Sequence, residues 1–335
     1  MTDILKKIQT EFAQKSVVIL GDLVADQFLN GTISRVSREA PVFILRHDQT
    51  MTLPGAAANA AVNVASLGGQ PILVGLAGRD MNAELLLGKL AEMGVDTGAV
   101  VTDRSLATTT KVRVLAGQHY AARQQVIRID YENSNPISDE LKERLRENLI
   151  AAGNKANAII ISDYNCGTVS PELYETAKDI SRERGIPLVV DSRYRLSDFS
   201  DASTGTPNRE EVEKILGENF SVEDCTQLRK RLNYEALLVT NGNKGMLLIE
   251  KDKPPVNMDA IGSKEPVDVT GAGDTVIAAF ALGLASGLSY SDAAKVANHA
   301  GGIVVMKKGT ASVSLNELRD SMTSDADSLV SQQAN

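Results

Sequence analysis

The sequence predicts an α/β fold: a mainly parallel central sheet covered by helices on both faces, with a small additional layer of β strands. Three observations predict it. Short, wholly apolar runs alternate with longer segments of helical period; the alternation repeats several times along the chain; and two stretches interrupt it with β-branched residues and no helix signal.

Val17–Leu20, Ile72–Val74, Ala158–Ile161, Pro187–Val190 and Ala236–Val239 have the composition of parallel strands buried on both faces. Between them, Asn82 to Met93, Ser138 to Ala152, Ser170 to Arg184 and Ser221 to Leu232 place apolar residues three and four apart. Ser138, Ser170 and Ser221 stand where an N-cap hydroxyl is needed. Repeated βαβ order then puts helices on both faces of one sheet. The interruptions are Gly31 to Arg46 and Thr108 to Tyr131, with alternating patches at Thr110–Leu115 and Val126–Tyr131. Such strands suit a lid projecting over a ligand cleft, and they would equally serve as an edge extension of the main sheet. No repeat or low-complexity linker divides the chain, so residues 1–320 form one expected domain and 321–335 a polar, frayed C-terminal tail.

The 335 residues are 43% hydrophobic and 23% charged, a balance that excludes disordered and fibrous classes. Forty-three acidic against 35 basic side chains give a net charge of -8, so neither nucleic acid nor an anionic membrane is an expected partner. An anionic ligand must be met locally. The longest apolar stretches, such as Ala278 to Ala285, fall well short of the roughly 20 residues of a membrane helix. The N-terminus lacks a basic-then-apolar signal segment, and the expected location is cytoplasmic. Cys166 and Cys225 lie far apart and the three histidines have no ligand-like spacing, which speaks against a structural metal or disulfide.

The most informative segment is Pro266 to Thr275, in which Gly271-Ala272-Gly273-Asp274 runs directly into an apolar helix. The first amides of a helix have no internal partner and lie at its positive end, so Gly271, Ala272 and Gly273 are candidate anion donors. Asp274, in the first turn, would sit beside that anion as a candidate proton acceptor for an attacking hydroxyl. The same residues also suit a tight bend followed by a dipole-favouring Asp. A dinucleotide fingerprint fits poorly: the third glycine is missing, Asp268 occupies a would-be strand, and the segment is far from the first strand.

From Ser105 to Ile129 there is no acidic residue, whereas Lys111, Arg113, Arg123 and Arg128 all fall inside. Lys111 and Arg113, two apart on a strand, share a face, where an anion or water must separate them. A phosphate site and a solvated edge that discourages aggregation both account for this strip. Asn208 and Glu211, between a strand and a helix, have the oxygen chemistry to support hydrated Mg2+, and equally the spacing of a capping box.

Together these segments resemble the ribokinase-like (PfkB) sugar kinases over about Val17 to Leu318. Asp268-Val269-Thr270-Gly271-Ala272-Gly273-Asp274-Thr275 is similar to the family's C-terminal signature, and Gly55-Ala56-Ala57-Ala58-Asn59 to its N-terminal glycine motif. Within the family the likeness is greatest to D-glycero-β-D-manno-heptose 7-phosphate kinases. It is carried by Gly21-Asp22-x-x-x-Asp26, Ser34-Arg35-x-Ser37-x-Glu39-Ala40-Pro41-Val42, Thr110 to Leu115, Ile127 to Asp130, Ser162-Asp163-Tyr164 and Leu238-Val239-Thr240.

The resemblance implies a ribokinase-like three-layer αβα body with a small β lid, and transfer of the γ-phosphoryl group of ATP to O1 of heptose 7-phosphate. It implies Asp274 as base and Gly271 to Gly273 as anion hole. Asp26, Gly55, Ala56, Asn59 and Asp163 would bind the sugar, with Lys111, Arg113 and Arg128 at its phosphate. Asn208 and Glu211 would support Mg2+ through water and the triphosphate, and Thr240, Gly242, Gly245 and Asn298 would line the nucleotide pocket. Apart from the resemblance, lid strands with open edges can pair between subunits, and a homodimer through the lid is the expected assembly. Ala56, Ser192-Arg193 and Asn241 depart from the subfamily, where Gly, Pro-Lys and a charged residue are usual. The chain ends too soon for the nucleotidyltransferase domain of bifunctional members, leaving the kinase step. The rival readings are a kinase for another sugar, sugar phosphate or nucleoside, and a catalytically silent sugar-binding regulator.

Overall fold

The computed structural model of the chain describes residues 2–118, 123–133, 136–263 and 265–333. In chain order its elements are α1 (Thr2–Glu11), β1 (Ser16–Gly21), β2 (Leu23–Val36), β3 (Phe43–Ala56), α2 (Ala57–Ser66), β4 (Gln70–Gly78), α3 (Met81–Glu92), β5 (Val100–Asp103), β6 (Thr110–Gly117) and β7 (Gln124–Tyr131). There follow α4 (Asp139–Gly153), β8 (Ala158–Asp163), α5 (Pro171–Arg184), β9 (Leu188–Ser192), β10 (Thr204–Gly205), α6 (Arg209–Leu216), α7 (Val222–Leu232) and β11 (Ala236–Thr240). The last are β12 (Met246–Glu250), β13 (Val256–Met258), α8 (Ala272–Ala285), α9 (Tyr290–Val304) and α10 (Leu315–Gln333).

Nine strands form one sheet in the order β13-β12-β11-β10-β9-β8-β1-β4-β5. All neighbours from β11 to β5 are parallel, and β12 and β13 add antiparallel at one edge. The period of two along each strand splits the core between its faces. Val17, Ile19, Ile160 and Leu238 pack against α1, α2, α3, α8, α9 and α10, whereas Val18, Leu20, Ile159, Ile161, Leu237 and Val239 pack against α4, α5, α6 and α7. This is a three-layer αβα body. Ser138, Ser170 and Ser221 each accept an N–H bond from the third helical residue, as their spacing predicts.

The strands that break the rhythm form a separate four-stranded sheet, β3-β2-β6-β7, not an extension of the main one. It is larger than the expected 31–46 and 108–131, because β2 begins at Leu23 and β3 runs on to Ala56. Asp26, Asn30, Gly31 and Pro54 interrupt the alternation there, and irregular register at Asn30/Gly31 and Ile33/Arg35 shifts its phase. Residues 119–122 of the second stretch lie outside the described residues. Residues expected as a frayed tail continue α10 to Gln333. Among the described residues no helix is long and apolar enough to cross a membrane.

The small sheet is rooted at the C-terminal ends of the main strands. Only Asp22 separates β1 from β2, and β3 passes into α2 without a break. The Asp22 N–H donates to Ser162 O and the Ala57 N–H to Asp22 O, each at 3.1 Å, so the exit and the return are pinned side by side. A cleft opens between the two sheets, where ligands of open parallel sheets bind.

Candidate active site

The site is organised by the start of α8. Asp268 accepts the N–H groups of Thr270 and Gly309, each at 2.9 Å, and so ties down the approach. Gly271 then turns through φ 75°, a left-handed conformation, and the helix begins. A Cβ at Gly271 would lie 2.5 Å from Asn59 Nδ2, so the residue is required by contact as well as by conformation. Among the described residues no side chain caps this helix. One expected donor is corrected: the Ala272 N–H turns back to Val269 O at 3.2 Å. Among the described residues no acceptor takes the Gly271 or Gly273 N–H, and these two amides open on the cleft.

Asp274 is only 3% exposed. Its Oδ2 accepts from Asn59 Nδ2 at 2.7 Å and its Oδ1 from the Tyr164 hydroxyl at 2.9 Å. Burial raises its pKa to about 6, against the downward pull of those two bonds and Arg193; Asp26 pushes the same way as burial. A carboxylate so placed is largely ionised at neutral pH yet basic enough to take a proton.

Opposite α8, β2 and β3 present Asp26, Gly55 and Ala56 to the cleft. A Cβ at Gly55 would come within 2.6 Å of Asp26 Oδ2, so glycine makes room for that carboxylate. Ala56 has φ 53° and ψ -131°, a conformation that favours glycine. Ala56→Gly should therefore stabilise the protein by about 1 kcal/mol; an unchanged or lowered melting temperature would contradict the strain.

Lys111 and Arg113, on one face of β6 as their spacing predicts, line the same cleft as Arg128 on β7. Carboxylates answer their repulsion here. Arg113 pairs with Asp26, Arg128 bonds Asp130 at 2.9 Å, and Lys111 stands 3.9 Å from Asp130. Arg123 is directed away, to Asp48 at 2.7 Å.

Two expected sugar ligands are placed elsewhere. Asn59 sits behind Asp274, whose carboxylate it holds, instead of lining the cleft. Asp163 is fully buried, its carboxylate taken by the Ser192 hydroxyl at 2.7 Å and by the Arg195 guanidinium. Removing one partner of such a pair leaves the other uncompensated. Asp163→Ala should cost about 3 kcal/mol of stability, read as a lowered melting temperature; a stable variant with only a raised sugar KM would restore Asp163 as a ligand.

On the far wall Asn208 caps α6. Its Oδ1 accepts the Glu211 N–H at 3.0 Å and Glu211 Oε2 accepts the Asn208 N–H at 2.8 Å, so the capping box is real. Both residues nevertheless line the cleft, together with Asp191 and Thr206. Burial raises the pKa of Asp191 and of Glu211, the nearby carboxylates adding to the shift at Asp191. Thr240, Gly242, Gly245 and Asn298 line an adjoining, mostly apolar pocket. The two spaces share Thr240, Val269 and Gly273, and so adjoin at the start of α8.

The model of the pfkB family of carbohydrate kinases matches residues 14–317. The chain belongs to this family. Bifunctional protein HldE of Magnetococcus marinus is 36% identical over 333 residues, covering 96% of this chain and 67% of that protein. HldE of Caulobacter vibrioides is 36% identical over 326 residues, with 95% and 65% covered. The chain thus spans about two thirds of the length of these relatives. The structure of Arabidopsis thaliana ribokinase complexed with ribose and ATP superposes with a TM-score of 0.68 at 22% identity, covering 92% of this chain and 97% of that one. The fold is ribokinase-like.

As a pfkB carbohydrate kinase the protein is a phosphotransferase that uses ATP and acts on a sugar hydroxyl. The dinucleotide reading falls with this, and α8 indeed follows a long loop after an antiparallel edge strand, not a parallel βα turn. Sequence reasoning missed Tyr164, Asp191 and Arg193 as lining residues. Asp191 had a readable signal, an acidic residue at the end of an apolar strand in a parallel sheet. Tyr164 stood in the Ser162-Asp163-Tyr164 segment of the resemblance without a role of its own, and Arg193 had no signal beyond following such a strand.

The far wall, at the start of α6, has donor chemistry that suits a magnesium ion. Its donors are the oxygens of Asp191, Asn208 and Glu211, the hard ligands this cation prefers. Among the described residues the buried Thr206 Oγ1 beside them has no hydrogen-bond partner.

Proposed function

We propose that this kinase transfers the γ-phosphoryl group of ATP to O1 of D-glycero-β-D-manno-heptose 7-phosphate, giving the 1,7-bisphosphate. One observation carries the reading: the same cleft holds a buried carboxylate beside open helix amides at one point and three basic side chains from the small sheet at another. A sugar with a phosphate at its far end satisfies both. The resemblance of the small-sheet segments to heptose 7-phosphate kinases supports the same substrate, as does the likeness to HldE.

In this mechanism ATP lies in the pocket of Thr240, Gly242, Gly245 and Asn298, with its phosphates running past the start of α8. The sugar binds under the small sheet, which acts as a lid, with Asp26 on its hydroxyls and Lys111, Arg113 and Arg128 at its phosphate. Phosphate binding would take over the role that Asp26 and Asp130 now play for those cations. The sugar oxygen attacks the γ-phosphorus, the bond to ADP breaks, and the hydroxyl proton passes to Asp274. Charge on the moving group is met by the Gly271 and Gly273 amides. Asn208, Glu211 and Asp191 would hold Mg2+, directly or through water, which neutralises phosphate charge when bound. Little covalent chemistry is asked of the protein beyond alignment and the exclusion of water.

The small sheet carries Phe43, Val126, Ile127 and Tyr131, each about half exposed or more. Pairing of two such sheets would form a homodimer. The reaction draws on ATP and a sugar phosphate, which suits a cytoplasmic enzyme.

ADP release measured with heptose 7-phosphate, fructose 6-phosphate, ribose and adenosine tests the assignment. Heptose 7-phosphate should give the highest kcat/KM, with phosphate gained at O1. Preference for an unphosphorylated sugar or nucleoside would assign the chain to another kinase; tight sugar binding with no transfer to any acceptor would mark it as a regulator.

A further inference from the structure

Both oxygens of the Asp274 carboxylate have a protein donor, and the two donors differ in kind. Asn59 holds Oδ2 from the buried interface of α2 and α8, where Asn63 and Thr275 continue the network. Tyr164 holds Oδ1 from the cleft side, on the loop that follows β8. That loop is fixed at unusual expense. Asp22, 1% exposed, commits its whole carboxylate to the loop backbone. Its Oδ2 accepts the Tyr164 N–H at 2.8 Å and the Cys166 N–H at 3.0 Å, and its Oδ1 the Thr168 N–H at 3.0 Å. Asp163, the residue before, is anchored by Ser192 and Arg195. Asn165, the residue after, is left-handed at φ 61°. The Arg193 guanidinium lies 6.0 Å over the Tyr164 ring. Two buried carboxylates therefore serve to aim one tyrosine hydroxyl.

We propose that Tyr164 is a positioning residue for phosphoryl transfer: its hydroxyl, aimed by the loop tied to Asp22, keeps Asp274 ionised and turned toward the sugar oxygen. The inference rests on Asp274 being the base. A phenol donates a stronger hydrogen bond to an ionised carboxylate than to the neutral acid, so the bond favours the ionised form. It opposes the burial that pushes Asp274 up to about 6. The other charged groups that face Asp274 are Asp26 on β2, Arg193 and Asp191 at the end of β9, and Glu211 on α6 beyond Asp191. Across the cleft stand Lys111 and Arg113 on β6 and Arg128 on β7. Of these, Arg193 lies over the Tyr164 ring, which Tyr164→Phe retains.

The test is the pH profile of kcat/KM in two variants with opposite expected signs. Tyr164→Phe removes the donor and should move the acid limb up by roughly one pH unit. Its loss is then about tenfold below the limb and fades above it. Genetically placed 3-fluorotyrosine at position 164 keeps the shape and makes a stronger donor, so the limb should move down; this variant serves even if the Phe variant fails to fold. Acid limbs that coincide with the wild type, with any loss equal at all pH values, would overturn the proposal. Failure of the underlying reading is separate, because Asp274→Asn would then keep its turnover.

Discussion

Asp274→Asn should lower turnover by a factor on the order of 100 or more while making the ligand-free protein more stable at pH 8. The two effects share a cause. Burial lifts the Asp274 pKa from an ordinary 3.8 to about 6, so the folded state binds this proton more tightly than the unfolded chain. The stability gained from that proton is complete below about pH 4 and lost as the pH rises through 6. At pH 8 the ionised group costs roughly 2 to 3 kcal/mol of stability, from a shift of about two units. Asn carries no such charge. Its amide can still accept from one neighbour, and a tyrosine hydroxyl can accept as well as donate. Thermal unfolding at pH 8 and pH 4.5 checks the sign: the variant's advantage should be full at the first and reduced to about a third at the second. Equal differences at both, or wild-type turnover, would remove Asp274 from its role.

Lys111→Ala and Arg128→Ala should each weaken binding of the phosphorylated sugar about tenfold or more while sparing its unphosphorylated analogue, since a charge-assisted bond contributes roughly 1.5–3 kcal/mol. Arg113→Ala should behave differently. Arg113 is the partner of Asp26, which is 5% exposed and would be left as an uncompensated carboxylate among the sugar ligands. Both sugars should then bind more weakly. Isothermal titration with heptose 7-phosphate and the free heptose separates the cases. Equal losses for both sugars in the Lys111 and Arg128 variants would place the phosphate elsewhere.

Much of the body was legible because its signals are local. The apolar runs at Val17, Ala158 and Ala236 can only be satisfied by burial on both faces, and Ser138, Ser170 and Ser221 cap the helices that their positions announce. Helix α2 was not legible: Ala57 to Val64 are all buried, so no polar face betrays a period. The site divides the same way. Gly271 and Asp274 speak through sequence, because a helix start needs them within a few residues of one another. Asp163 and Tyr164 are neighbours in the chain, yet Asp163 ends β8 with its side chain buried while Tyr164 opens the following loop and lines the cleft. Asn59 meets Asp274 across 215 residues. Which of two adjacent polar side chains faces the ligand, and which holds its neighbour, is decided by packing that spacing does not encode.

The most direct test of the account is a crystal structure with Mg2+, a non-hydrolysable ATP analogue and heptose 7-phosphate. The account predicts the γ-phosphorus within hydrogen-bonding reach of the Gly271 and Gly273 amides. It predicts the sugar O1 in line with that phosphorus and against the Asp274 carboxylate, and the 7-phosphate among Lys111, Arg113 and Arg128. A γ-phosphate lodged away from the start of α8, or a sugar whose phosphate lies at Asp274, would contradict it.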